Sequence, residues 1–252
     1  MNRNEHYDPS LVTGFGIRLA WATLEMMTDD VKDLQLLVSG SQDDVDDLRI
    51  GVENGRLSVS QPAYGLSTRI ATERWMQVTL RIPRDWRGDV QASTMTGLMQ
   101  VHGLSGTDFS LTTVSGTLRV NGLSGMSVTL HTVSGLLDVC GITAEKGSMR
   151  TVSGDLSLYR GMFRQLKLTS VSGMIVAGLD EDFEALDINT VSGAMSVQAP
   201  IMRAKIGLRS VAGKLKTEGV ENTEDGPAIS ANSVSGSLTV TRSGSPAASD
   251  AT

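Results

Sequence analysis

Cysteine is almost absent from this chain. Cys140 is the one copy in 252 residues, so no internal disulfide can form. Placed just after an expected strand, it reads as a small residue near a turn, without a redox role. Aromatics are only 4%. That excludes a thick core built on rings and leaves aliphatic side chains, with 12 methionines, to line a thin interior. Basic residues are outnumbered, 22 Lys and Arg against 28 Asp and Glu, which argues against nucleic-acid binding. Long apolar runs are missing too. The most apolar stretch, Gly14 to Met27, carries Arg18 and Glu25, and is too short and too charged for a membrane span. Residues 1–10 are polar and lack the apolar run of a secretory signal. No sorting motif or hydrophobic anchor follows the last repeat. The expectation is a cytoplasmic protein, with cell-envelope association through a partner as the alternative.

What the chain does have is repetition. The tetrad Thr-Val-Ser-Gly, with close variants, ends at Gly97, Gly116, Gly135, Gly154, Gly173, Gly193, Gly213 and Gly236. The steps are 19, 19, 19, 19, 20, 20 and 23 residues. A period near 20 means one supersecondary unit stacked on copies of itself. Two residues after each glycine stand Met99, Leu118, Leu137, Leu156, Ile175, Met195, Leu215 and Leu238. A second column, four after, is mostly valine. A further alternating pair lies five and seven before each glycine, as in Leu111 and Phe109. Period-two alternation reads as strands with one buried face. Each period therefore holds two short strands and two corners, with no room for an ordinary helix.

The fold class that follows is all-β: a parallel β-solenoid of about 19–20 residues per two-strand coil, capped by a less regular N-terminal β region. Seven steps at about 4.8 Å give a ladder of roughly 34 Å. The glycines take one corner, where a tight bend needs φ > 0 or close backbone approach. A second corner, half a coil later, carries Gly103-Leu-Ser-Gly106, Gly122-Leu-Ser-Gly125 and Gly141-Ile142. Its apolar residue plugs the end of the core.

The valines two before the glycine, Val114, Val133, Val152, Val171, Val191 and Val211, admit two placements. Buried valines at a bent corner are the plainer expectation, since a bulge there reverses the alternation. Unbroken alternation instead points them outward and turns Thr113, Thr132 and Thr151 in. That would make an exposed apolar stripe, which is an interaction surface.

Four segments are expected: a flexible lead over 1–14, an irregular β cap over 15–92, regular coils over 93–241, and a disordered tail over 242–252. Within the cap, Ile17–Met26, Leu34–Val38, Leu48–Val52, Arg56–Val59 and Met76–Ile82 read as strands. Residues 17–27 also fit an amphipathic helix. Asn54-Gly55 between two alternating runs signals a hairpin. Pro83 ends a strand.

No catalytic, cofactor or metal site emerges. The repeated serines beside corner glycines serve the local backbone. His6, His102 and His131 occupy different columns and read as solvated surface residues. The acidic clusters Asp43–Asp47 and Asp180–Glu184, and Glu221 with Glu224 and Asp225, lack a calcium-loop pattern and read as solvated loops. Arg87-Gly88-Asp89 matches an integrin-read tripeptide of the kind that chance supplies.

The order Leu34-Gln-Leu-Leu-Val-Ser-Gly40, Val52-Glu-Asn-Gly-Arg-Leu-Ser-Val59, Val78-Thr-Leu-Arg-Ile-Pro83, then the Ser-Gly coils, resembles the bacterial adhesin-like β-strand-repeat domains. The resemblance covers roughly residues 20–241. It implies a β-solenoid, often exported or tethered to the membrane, with no catalytic residues. The expected function is a non-catalytic binding or scaffold protein, adhesin-like, for an unidentified protein or envelope polymer. A self-assembling scaffold with weak self-association is the alternative. A polysaccharide-active β-helix enzyme is the second, and would need a carboxylate pair beside an Arg or Lys on adjacent coils.

Overall fold

A computed structural model describes residues 1–62, 75–181 and 183–243. The chain is nearly all strand. β1 (Asn2–Tyr7), β2 (Gly14–Trp21), β3 (Thr23–Asp29) and β4 (Leu34–Gly40) precede a short helix, α1 (Gln42–Asp46). β5 (Arg49–Glu53), β6 (Arg56–Ser60) and β7 (Met76–Pro83) complete the N-terminal region. Long bent strands follow: β8 (Asp89–Ser105), β9 (Asp108–Ser134), β10 (Leu137–Ser153) and β11 (Leu156–Ser172). The coils then break into shorter strands: β12 (Ile175–Leu179), β13 (Ala185–Ser192), β14 (Met195–Ala199), β15 (Arg203–Ser210), β16 (Leu215–Glu218), β17 (Glu221–Asn222), β18 (Ala228–Ser235) and β19 (Leu238–Arg242).

The expected parallel solenoid is present. Met99 pairs with Leu118, Leu118 with Leu137 and Leu137 with Leu156, each nineteen residues on. Ile175 pairs with Met195 at twenty. The inward columns fill a continuous aliphatic core. At the glycine corner, a Cβ on Gly154 would collide with the carbonyl oxygen of Gly135 one coil below, and φ there is +142°. The corner glycines stack by close backbone approach. At the second corner Gly103, Gly122 and Gly141 adopt φ of 67–73°, and Arg160 takes the next place at 55°. Leu104, Leu123 and Ile142 beside them are buried, as plugs should be.

Coil order breaks the simple stack. β13 pairs with β18, Ala185 opposite Ala228, forty-three residues apart. β15 pairs with the other edge of β18, Lys205 opposite Ala228. Likewise β14 and β16 flank β19. The Gly236 coil therefore lies between the Gly193 and Gly213 coils. The expectation of regular sequential coils over 93–241 fails at the last two. Burial gives the reason. Ile229, Ala231, Leu238 and Val240 of the Gly236 coil are at most 1% exposed, whereas Leu215 of the Gly213 coil is 38% exposed. The latter coil also carries Lys205, Arg209, Lys214 and Lys216. The apolar coil is held inside and the charged one forms the end.

The N-terminal lead is also corrected. Residues 2–7, expected to be flexible, form β1 and pair antiparallel with β4, Asn2 opposite Ser39 and Tyr7 opposite Leu34. Alternation of side chains and a free sheet edge order this segment. Residues 17–27 are strand, split at Ala22 into β2 and β3. Ala22 is the first corner, the one onto which Gly97 stacks. β5 and β6 form the expected hairpin, with φ of 50° at Asn54 and 76° at Gly55. The cluster at 43–47 is not a loop: residues 42–46 are α1, and Asp44 is buried, accepting a 2.5 Å hydrogen bond from Ser41 Oγ. The tail expected to be disordered over 242–252 starts later than that: Arg242 closes β19 and the Ser243 amide donates to the Ala199 carbonyl at 2.8 Å, while residues 244–252 lie outside the described residues, as does Asp182.

Candidate functional site

In the strand before each corner the alternation holds as far as the valine, and its phase changes at the Ser-Gly step, since Thr113 and Leu118, five residues apart, are both buried. Thr113, Thr132 and Thr151 are fully buried, with Thr94 and Ser170 nearly so. The valines beside them face out. Val114 is 42% exposed, Val171 40%, Val191 48% and Val211 86%, while Val133 and Val152 are half-buried. The expectation of buried valines is overturned. The bend is made by glycine after the valine, so the strand needs no inversion before it.

The result is an apolar ridge along one edge of the solenoid. In spatial order it runs Met95, Val114, Val133, Val152, Val171, Val191, Val234 and Val211. Leu136 and Met174, just past their corner glycines, broaden it and are 37% and 46% exposed. Sequence reasoning missed these two and Met95, although Met95 fills the valine place of the first tetrad, Thr-Met-Thr-Gly. A shallow groove of about 370 Å³ follows the ridge at its C-terminal half, between Val171, Val191 and Val234 and the outward Thr169, Asn189 and Asn232. Behind the ridge the hydroxyls fare poorly. Thr94 Oγ1 donates to Thr113 Oγ1 at 3.1 Å, but those of Thr132, Thr151, Ser170 and Thr190 are buried without a partner.

The eight corner glycines all occupy the corner. Gly213 and Gly236 do so without a left-handed φ; close approach alone requires them, each Cβ meeting a neighbouring glycine's carbonyl. Arg87-Gly88-Asp89 is not a displayed loop. Arg87 donates to the carbonyls of Arg84 and Trp86, both at 2.7 Å, Gly88 packs on Thr13, and Asp89 opens β8. His131 is not freely solvated. Its Nε2 is shielded without a partner, and burial, then the nearby Arg150 charge, lower its pKa. No cluster of three metal-ligating side chains occurs among the described residues.

One constellation meets the condition set for an enzyme. Arg164 bridges Glu145 at 3.2 Å and Glu184 at 2.7 Å on the flanking coils, beside a cavity of about 390 Å³. All three side chains are about half exposed. Solvent screens them, and both carboxylates are ion-paired to the same guanidinium. This is a surface ion ladder, without the desolvation that tunes an acid–base pair.

A parallel solenoid with an apolar corner ridge defines a class of repeat protein whose surface is one motif copied along an axis. The chain belongs to the Toastrack DUF4097 family, whose model matches residues 15–243. No curated protein matches it. Solved structures share the fold at low identity. One named a putative lipid binding protein, from Parabacteroides distasonis, is 16% identical over 95% of this chain and 96% of its own, with a TM-score of 0.63. Another, named a putative adhesin, from Bacteroides fragilis, is 14% identical over 96% and 97%, with a TM-score of 0.57. Among the described residues no helix is long and apolar enough to cross a membrane.

Proposed function

We propose that the chain is a non-catalytic binding scaffold that docks a partner protein along the valine ridge. One observation carries this reading. At successive coils the apolar side chain is placed outside and a hydroxyl inside, the reverse of what burial favours. Exchanging the two would stabilise the fold, so the inversion serves the surface. A contiguous exposed apolar strip of this length is an interaction surface. Among the described residues the ridge from Met95 to Val211 carries no aromatic ring to stack on a sugar face, so a protein suits it better than an envelope glycan. The neighbours' names agree with a binding role; at 14–16% identity they bear on fold and leave the ligand open. The cytoplasmic placement, with envelope association through the partner, stays part of this proposal.

A photo-crosslinking residue at Val152 tests it. It should trap one discrete protein, and Val133→Asp should abolish the product while melting is unchanged. The same probe at Lys167, on the outward face away from the ridge, should trap nothing. Equal products at both positions would sink the ridge as the docking surface. A crosslink to a second copy, with a matching sedimentation mass, would favour the self-assembling scaffold instead.

A further inference from the structure

The interleaved end has a second way to stack. In the structure the contacts run from the Gly193 coil to the Gly236 coil, then to the Gly213 coil. Chain order would run from Gly193 to Gly213 to Gly236. Both arrangements make two coil-to-coil interfaces and leave one coil at the end. The chain-order register is already written in the repeat. At twenty residues Leu186 meets Ile206, Ile188 meets Leu208, Met195 meets Leu215 and Gly193 meets Gly213, while Val197 would meet Thr217. Residues 219–227, which include the two-residue strand β17, are all that joins the Gly236 coil to the coil before it. That segment contains Gly219 and Gly226, at φ of 68° and 109°. Nine residues reach up to about 30 Å when extended.

Two features hold the observed order. The Gly236 coil gains burial on both edges, and the Asn222 side chain covers the outer edge of the Gly213 coil. Its Nδ2 donates to the Ile206 carbonyl at 3.1 Å and its Oδ1 accepts from the Ile206 amide at 2.9 Å. In chain order that edge would pair with the Gly236 coil, and the Asn222 contacts would be displaced. The new terminal strands would then be β18 and β19, which carry a single charge, Arg242. The present end strands β15 and β16 carry Arg203, Lys205, Arg209, Lys216 and Glu218. Charges of this kind guard an edge strand against pairing, and their lack invites it. We propose that the chain exchanges between these two coil orders, and that the chain-order state presents β18 and β19 as an edge on which a second copy pairs.

Cysteine pairs in the full chain, with Cys140→Ser, read the order directly. Asn189 and Arg209 both lie opposite Asn232, on its two sides. In the observed order they stand two strands apart, about 10 Å, beyond disulfide reach. In chain order they are neighbours. Asn189→Cys with Arg209→Cys should therefore crosslink slowly within one chain under mild oxidation. Asn189→Cys with Asn232→Cys should crosslink quickly. Adding Asn222→Ala should raise the first yield severalfold. Asp187→Cys with Gly207→Cys repeats the test at a position where an added Cβ meets nothing within 4 Å. Failure of both chain-order pairs, while the Asn189–Asn232 pair closes, would overturn the exchange. The oxidised chain-order form should sediment as a dimer; a monomer would overturn the edge pairing.

Discussion

The two ends of the solenoid solve the same problem by different means. A parallel ladder ends in strands whose outer backbone groups are unpaired. At the N-terminal end the chain adds material. β4 and β5 reverse direction and pair antiparallel with β7 and β6, and β1 adds a last strand on β4. At the C-terminal end little is added: β17 pairs with only two residues of β15, and one asparagine covers Ile206. The coils are reordered so that the most charged one is outermost. The cap is thus a separate local structure, while the other end is a choice among equivalent coils. Stability should accordingly depend on where a coil sits in space, and not on where it sits in sequence.

Corner glycines give the largest test. Gly154→Val places a β-branched side chain at left-handed φ against the carbonyl of Gly135, in a coil with two neighbours. The backbone misfit alone costs about 1–3 kcal/mol, and the collision adds to it, so a clear fall in melting temperature is expected. Gly236→Val should rank next, because its coil is interior despite being last in the chain. Gly213→Val should cost least, since an end coil has one neighbour and can fray. A Gly213 variant as damaged as the Gly236 variant would show that spatial order does not govern the end.

A smaller effect of opposite sign is expected one residue from the ridge. Thr151→Val replaces a buried, unpartnered hydroxyl by a methyl group of similar size. It should stabilise by about 1 kcal/mol, read by chemical denaturation. Val152→Thr, its outward neighbour, should stay within about 0.5 kcal/mol of the parent. Destabilisation by Thr151→Val would mean that the hydroxyl column is satisfied, and would remove the physical basis for the docking surface.

The smallest effect is a pH dependence. His131 has its folded pKa lowered from 6.5 by burial and then by Arg150. The unfolded chain therefore binds the proton first. Stability from this site is complete above about pH 6.5 and falls as the pH drops below it towards the folded value. His131→Gln should flatten part of the acid decline in melting temperature between pH 7 and pH 5. Identical profiles for the two proteins would discount the site.

Much of this was legible in the residues. The period, the two strands per coil, both corners, the hairpin at Asn54-Gly55 and the end of β7 at Pro83 all follow from local pattern, because a stacked coil repeats its constraints in sequence. The coil order was not legible. Gly213 and Gly236 end near-identical tetrads, Ser-Val-Ala-Gly and Ser-Val-Ser-Gly, and it is the balance of Leu215 and its lysines against Leu238 and Val240 that separates the two coils. β1 escaped because Asn2–Tyr7 is polar; its partner β4 supplies the edge that orders it. The ridge was half legible. Its columns were found, but which of Thr151 and Val152 faces inward depends on whether the bend falls before or after the valine, and the period is silent on that.

The interleaved coil has a consequence in time. A chain made from its N terminus completes β15 and β16 before β18 and β19 exist. During that interval the newest complete coil has one surface to rest on, that of the Gly193 coil, in the twenty-residue register. On the proposed exchange, the last coil to be synthesised then prises apart a contact formed earlier. The finished molecule would then be reached through a rearrangement, and a product halted near residue 225 would keep the earlier stack.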